Sequence, residues 1–346
     1  MTLVLDAQVT ESEWAQIVDR ISRRRFFGGA AGVAAALALS ACGSSDSESD
    51  SASDTLPYAW AEFSGDIPRD PKRVVVLDGR VDLEFAMMMD YPIVGSGNFW
   101  FPDAKAGFQF PGRTIEDASF VNVAGDFSTN FEALLALEPD LIVITAIGYT
   151  SDWYGTERLS SIAPLLVVGD DVEPIAGHPV DWRGALMAQA SQLDRVAIAE
   201  ASIAEYDDKL ARLRPMLQEK LGGKKIVFGV QTPTGFLVHQ RNLRISVAID
   251  AGLDVLFRDD DNAENSFELS FEQLDTLAPA DVIIAQARDQ EALDAIKTQP
   301  TWQRLPAVQA GNVLTSDARY NQGFALTAAI FLDVLEEAAG RFTAGQ

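Results

Sequence analysis

The chain has 346 residues, 47% hydrophobic and 23% charged, with 25 Gly and 15 Pro. That is globular composition, with apolar content for a sizeable core and length for two lobes. Lys plus Arg is 27 against 51 for Asp plus Glu, and the formal charge of −24 repels a phosphate backbone and argues against a nucleic-acid partner. One Cys rules out an intrachain disulfide, and two His, His178 and His239, are too few for a three-His cage or a Cys/His zinc site.

At the amino terminus, Arg23, Arg24 and Arg25 precede an apolar, Ala-rich run that ends in small residues before Cys42. Charged, apolar and small segments in that order are a secretory signal, and the run is too short to span a bilayer. Ser22-Arg23-Arg24-Arg25-Phe26-Phe27 resembles the twin-arginine export signal, and Leu39-Ser40-Ala41-Cys42 resembles a bacterial lipobox. The resemblance implies that residues 1–41 are a signal peptide read through Arg23 and Arg24. It also implies that Cys42 carries the lipid, holding the protein at the extracytoplasmic face of the bacterial cytoplasmic membrane. Residues 42–56 are expected to be a flexible tether, because the Ser/Asp run after Cys42 has nothing to bury. Cleavage leaves the net charge unchanged, since Arg20 and Arg23–Arg25 are balanced by Asp6, Glu11, Glu13 and Asp19. A chain so acidic needs a covalent anchor to stay at an anionic membrane.

Beyond the tether, short apolar runs alternate with helical patterns, which predicts an α/β fold of two Rossmann-like lobes with mainly parallel sheets. Strands are predicted at Val74–Leu77, Ile93–Gly95, Leu141–Thr145 and Leu165–Val168 in a first lobe spanning 57–180. A second lobe, 220–346, is predicted to hold Ile226–Val230, Val282–Ala285, Val313–Thr315 and, more weakly, Val255–Phe257. Between them, Asp181 to Arg214 keeps helical spacing with one Gly and no Pro. This predicts one long interdomain helix over 181–219, roughly 50 Å of it up to Arg214, with two shorter helices kinked near Pro215 as the alternative.

Residues 131–143, FEALLALEPDLIV, and 271–284, FEQLDTLAPADVII, share F-E-x-L-x-x-L-x-P followed by Asp and an apolar strand, with Ala280 inserted in the second copy. Asn130 and Ser270 are predicted N-caps, which places Glu132 and Glu272 in a first turn where the helix dipole favours carboxylates. Capping alone would account for both glutamates.

These two segments, with PKRVVVLDGRVDLEFAMMM at 71–89 and WQRLPAVQAGNVL at 302–314, carry a resemblance spread over nearly all of 42–346. The chain resembles periplasmic-type substrate-binding proteins of ABC importers, in the group with a rigid interdomain helix that handles ferric siderophores, haem and vitamin B12. The resemblance implies a monomeric binding protein without cofactor or catalytic residues, which presents a ferric siderophore to an ABC permease and its ATPase. It further implies that Glu132 and Glu272, one per lobe, dock onto the permease.

In open parallel sheets ligands bind beyond the carboxyl ends of the strands. Loops there hold Arg80, Trp100, Tyr149, Trp153 and Tyr154 in the first lobe and Arg241, Arg244, Arg319 and Tyr320 in the second. Rigid aromatics beside arginines suit a bulky ligand held by stacking and charge-assisted hydrogen bonds, although each Arg is as suited to holding a loop carboxylate. Trp302 reads as packing and His239 as a polar loop residue. A hexadentate chelator fills the coordination sphere of iron, so no metal ligand from the protein is required, and hydroxamate and catecholate chelators both remain open. Haem or a corrinoid is the nearest alternative. An extracytoplasmic hydrolase is disfavoured, because no G-x-S-x-G elbow occurs and, of Asp78, Asp82 and Glu84, which could form a carboxylate pair, Asp82 and Glu84 read as solvated or capping.

Overall fold

A hairpin of β1 (Thr55–Trp60) and β2 (Phe63–Pro68), turning through Ala61 at positive φ, leads the described chain. The computed structural model describes residues 54–97, 110, 115, 119–120, 129–171, 180–260, 265–287, 290–316 and 321–342. Thr55 and Leu56 are thus strand residues rather than the end of a tether. Next come β3 (Val74–Val76), α1 (Val81–Met88), β4 (Ile93–Ser96) and β5 (Ser119–Phe120). They are followed by α2 (Phe131–Ala136), β6 (Leu141–Thr145), α3 (Ala146–Thr150), α4 (Thr156–Ile162) and β7 (Leu165–Val168). The strands pair in parallel in the order β5-β4-β3-β6-β7, with Val74 opposite Leu141 and Ile142 opposite Leu165. β3, β6 and β7 are buried throughout, as apolar runs in a sheet covered on both faces must be.

The segment expected as one helix over 181–219 is two: α5 (Trp182–Gln192) and α6 (Val196–Leu221). The break falls at Asp194, not near Pro215. Asp194 adopts φ +55° and the Arg195 N–H donates to the Ala190 carbonyl, a left-handed C-terminal cap that Asp tolerates better than most side chains. Pro215 lies inside α6. The buried stripe Ala199, Tyr206, Leu210, Leu217 and Leu221 keeps helical spacing along α6.

The second lobe runs β8 (Lys225–Thr232), β9 (Gly235–His239), α7 (Leu243–Asp250), β10 (Asp254–Val255), β11 (Ser266–Ser270) and a 3₁₀ turn at Phe271–Leu277. It continues with β12 (Val282–Ala287), α8 (Gln290–Lys297), α9 (Pro300–Gln303), α10 (Pro306–Gln309), β13 (Val313–Ser316) and α11 (Ala325–Arg341). The sheet order is β11-β9-β8-β12-β13 with β10 on β8, and among these strands β9 and β11 run antiparallel to their neighbours. His239 is therefore a strand residue, not a loop residue. Trp302 is buried against Phe236, the packing role expected of it.

Both copies of the repeat end by pinning the first strand of their lobe. The Asp140 carboxylate accepts from the Lys72 and Arg73 N–H groups just before β3, at 2.7 and 2.8 Å, and Asp281 accepts from Lys225 N–H at the start of β8, at 2.8 Å. In return the Asp140 and Asp281 N–H groups donate to the carbonyls of Arg73 and Lys225. Asn130 caps α2 through the Ala133 N–H, and Ser270 forms a capping box with Gln273.

Asp82 and Glu84 are not solvated; both carboxylates are fully buried. Glu84 reaches from α1 to the start of α11 and accepts from the N–H groups of Phe324, Leu326 and Thr327 at 2.8 to 3.0 Å and from Thr327 Oγ1 at 2.6 Å. An N-cap is ordinarily supplied by the helix's own preceding residue, but here another lobe satisfies three otherwise orphaned donors. Gly323, at φ +143°, must be glycine, because a Cβ there would collide with Glu84 Oε2 and Thr327 Oγ1. Around this contact Phe85, Tyr206, Phe228 and Phe331 belong to one apolar core that continues from lobe to lobe.

Burial pushes the Glu84 carboxyl up to about 7 against its four donors, pushes Asp82 up to about 7 with help from the Asp78 charge, and raises Asp170 to about 6. A carboxyl whose pKa rises on folding adds stability that is complete below its unfolded value and is lost as pH climbs through the folded one. The thermal midpoint is expected to fall between pH 5 and about pH 7.5, and Glu84→Gln to flatten that fall. Glu84→Ala leaves three buried N–H groups unpaired and is expected to lower unfolding free energy by about 3 kcal/mol in urea titration.

Candidate functional site

The strand ends of the first lobe converge on Asp78, which follows β3 and is fully buried. Its carboxylate receives the Arg80 guanidinium in a two-pronged ion pair, the Tyr154 hydroxyl at 3.0 Å and the Thr145 hydroxyl at 3.4 Å. Asp82 holds the same turn from below, accepting from the Asp78, Arg80 and Leu83 N–H groups at 2.7 to 3.0 Å. Arg80 is raised, its Asp78 partner outweighing burial, so it stays charged at any working pH. Burial and the adjacent carboxylates likewise push the Tyr154 phenol far up, and it acts only as a donor. Trp153 packs edge-on to Tyr154 at 6.4 Å, and Tyr149 packs edge-on to Phe63 of β2 at 5.5 Å.

Two acidic residues after β7 reach the second lobe. Asp170 Oδ2 accepts from Gly323 N–H at 2.8 Å and lies within electrostatic reach of Arg80. Asp171 pairs with Arg241 at 2.5 Å and accepts from the Asp181 N–H at 3.0 Å. Arg80 and Arg241 thus flank an acidic pair where the lobes meet.

In the second lobe the strand ends are polar and incompletely paired. Arg244, second residue of α7, has zero exposure, and its Nε, Nη1 and Nη2 have no hydrogen-bond partner among the described residues. Its guanidinium lies beside Phe228, with Cζ 6.0 Å from the ring centroid. Burial pushes Arg244 down to about 9, which leaves it charged at neutral pH. His239 is pushed down to about 3 by burial and the Arg244 charge, so it is neutral, and its Nε2 has no described partner. Gln231 Oε1, Gln286 Oε1, Asn242 Nδ2 and Asn321 Oδ1 are also buried and unpaired among the described residues.

Of the residues expected to form the site, the structure brings Arg80 and Tyr154 onto one carboxylate, with Trp153 alongside, and sets Tyr149 against the hairpin. Arg241 lies at the lobe junction, and Arg244 beside His239 in the second lobe. Glu132 and Glu272 are exposed in first turns, away from these groups, and Ser270 Oγ donates to Glu272 at 2.7 Å, which lowers that carboxyl. Arg23, Arg24, Cys42, Trp100, Arg319 and Tyr320 lie outside the described residues. Sequence reasoning missed Asp78, Asp170 and Asp171 as counter-ions and Gln286 and Asn321 as unpaired polar groups. Their signal is positional, since Asp78, Asp170, Asp171 and Asn321 sit two to five residues beyond a strand and Gln286 is the last residue but one of β12.

Residues 104–320 match the family described as Periplasmic binding protein. The iron(3+)-hydroxamate-binding protein FhuD of Escherichia coli is 25% identical over 278 residues, covering 78% of this chain and 88% of its own. The Fe(3+)-citrate-binding protein YfmC of Bacillus subtilis is also 25% identical, over 292 residues, 82% of this chain and 86% of its own. Among solved structures, the FhuD of Vibrio cholerae bound to Fe3+-Desferal superposes with a TM-score of 0.64 at 16% identity, covering 79% of this chain and 99% of that one. That likeness shows a shared fold.

The ion pair at Asp78 sets a measurable order of losses. Asp78→Ala strands the Arg80 charge and is expected to destabilise by about 3 kcal/mol. Tyr154→Phe removes one donor and should lower stability by only about 1 kcal/mol in the same urea titration. Equal small losses would contradict the pairing of Arg80 with Asp78.

Proposed function

The chain belongs to the periplasmic binding protein family, and from that membership we propose that it is a lipid-anchored extracytoplasmic protein that captures a ferric siderophore between its lobes and delivers it to an ABC permease. The observation that carries this reading is the gathering of Arg80, Trp153 and Tyr154 at the strand ends of the first lobe, with Arg241 and the unpaired Arg244 in the second. In this reading Arg80, Tyr149, Trp153 and Tyr154 bind the ligand from the first lobe and Arg241 and Arg244 from the second, and Trp100, Arg319 and Tyr320, outside the described residues, are ligand-binding residues as well. Rigid rings give contact area at low conformational entropy, and arginines orient polar edges. Two relatives of equal identity are described as binding iron chelates, one a hydroxamate and one citrate, which supports iron as cargo. The chelator supplies the coordination sphere, so the protein need only recognise its periphery.

In this reading Glu132 and Glu272 dock onto the permease, whose ATPase drives uptake. They occupy matching positions in the two copies of the repeat, one per lobe, and a charge pair at one fixed separation orients an encounter and speeds it. The protein acts as a monomer held by lipid on Cys42 and exported through Arg23 and Arg24.

Tryptophan fluorescence of the protein, titrated with ferric siderophores, haem and cobalamin, is expected to show saturable quenching at submicromolar concentration with a ferric siderophore; quenching by haem or cobalamin alone would replace the reading. Glu132→Arg and Glu272→Arg should each abolish cellular uptake while leaving ligand affinity unchanged. Lost affinity in either variant would place that glutamate in the cleft instead.

A further inference from the structure

The second lobe holds a buried positive charge with no negative partner among the described residues. Strand alternation shows what shares its surroundings. In β12, Val282 and Ile284 face the core that contains α6, α7 and α11, so Gln286, two residues on, faces the same side. In β9, Phe236 and Val238 face the opposite core, which turns His239 toward α7. Phe228 of β8 lies on that side too, with the Arg244 guanidinium 6.0 Å from its ring. Arg244, beside Phe228 and within electrostatic reach of His239, thus lies on the same side of the sheet as Gln286, and each of these three polar side chains has buried atoms that have no described partner. Asn321 lies beside the start of α7, its carbonyl accepting from the Leu243 N–H at 3.3 Å, and its Oδ1 is unpaired as well.

A guanidinium sealed from water without an anion is among the most unfavourable arrangements a core can hold. No described residue relieves it. Of the acids at the lobe junction, Asp171 and Asp78 are taken by Arg241 and Arg80, and Asp170 by the Gly323 N–H. The neighbouring imidazole is neutral and does not add a second positive charge. We propose that Arg244, beside His239 and Phe228, is a receptor for a carboxylate of the ligand, so that the chelate carried is one with a free peripheral carboxylate, of the hydroxycarboxylate type, rather than a neutral trihydroxamate.

The inference rests on the siderophore reading above and adds the ligand class. The planar fork of Arg presents parallel N–H donors that match the two oxygens of a carboxylate. In a tris-catecholate complex the charged oxygens surround the iron and the rings form the periphery, which leaves nothing small and anionic to reach a buried guanidinium. A neutral trihydroxamate offers no anion at all and would leave Arg244 uncompensated in the complex. A hydroxycarboxylate chelator keeps uncoordinated carboxylate oxygen atoms at its edge, and these fit.

The test uses the purified full-length protein, with fluorescence titrations of ferric citrate, ferrichrome, iron-free citrate and inorganic phosphate. Ferric citrate is expected to bind at least about tenfold more tightly than ferrichrome, a comparison that needs no variant. Arg244→Gln is expected to weaken ferric citrate about 100-fold, to change ferrichrome less than about threefold, and to melt no lower than the wild type because an unpaired buried charge is gone. A preference for ferrichrome, or unchanged ferric citrate affinity in a folded Arg244→Gln, would overturn the proposal while leaving siderophore capture standing. Phosphate or iron-free citrate binding as tightly as the ferric chelate would show a simple anion site and overturn it too. If neither ferric chelate binds the wild type, the siderophore reading fails and takes the carboxylate receptor with it.

Discussion

The structure depends on one carboxylate crossing from one lobe to the other. Glu84 leaves α1, which is buried on nearly every side, and closes the first turn of α11. The three amides at that turn point at this carboxylate, in a place closed to water. Removing Glu84 therefore leaves the last helix uncapped, Gly323 without its reason to be glycine, and the lobes without their central polar contact. Burying a charge this completely is unfavourable unless its donors are in place, so the carboxylate and the α11 backbone each need the other.

Other interlobe contacts cluster around the same joint and stiffen it. Asp170 holds Gly323, the residue just before the turn that Glu84 caps. On the far side, the Asp250 carboxylate at the end of α7 accepts from Arg183 Nη1 at 2.8 Å and from the Tyr206 hydroxyl at 2.9 Å, while its carbonyl accepts from Arg214. Arg183 also stacks over Trp182 and Tyr206, at 4.4 and 4.8 Å from their ring centroids. α5, α6 and α7 are thereby tied through one acidic residue. A joint built from a shared apolar core plus buried, fully paired carboxylates favours a cleft formed before the ligand arrives. The buried Arg244 beyond that joint is the opposite case, a charge for which no described residue supplies a partner.

Much of this was legible in the sequence because apolar runs and caps are local. Val74–Leu77, Leu141–Thr145, Leu165–Val168 and Val282–Ala285 announce themselves as continuous apolar runs, and Asn130 and Ser270 by the Phe-Glu pair that succeeds each of them. The hairpin at 55–68 and strands β9 and β11 were not legible, since Pro57, Asp66, His239 and Glu268 interrupt their apolar content and only pairing makes them strands. The break between α5 and α6 was hidden because Asp194, not Gly or Pro, takes the left-handed turn. At the site, the arginines could be named from their place after strands, but not their fates. Arg80 and Asp78 are two residues apart, whereas Arg241 finds Asp171 and Glu84 finds Phe324 only through the fold. Solvated or capping was the natural reading of Asp82 and Glu84 next to a helix start; packing of that helix between the lobes reversed the first, while Asp82 does hold backbone N–H groups there.

Native-state hydrogen exchange at Phe324, Leu326 and Thr327 reads the Glu84 cap directly. First-turn amides of a helix normally lack acceptors and exchange quickly. With Glu84 capping them from the other lobe, they are expected to exchange as slowly as the central strands β8 and β12, through global unfolding alone. Exchange within seconds, while those strands remain protected, would contradict a joint held by Glu84.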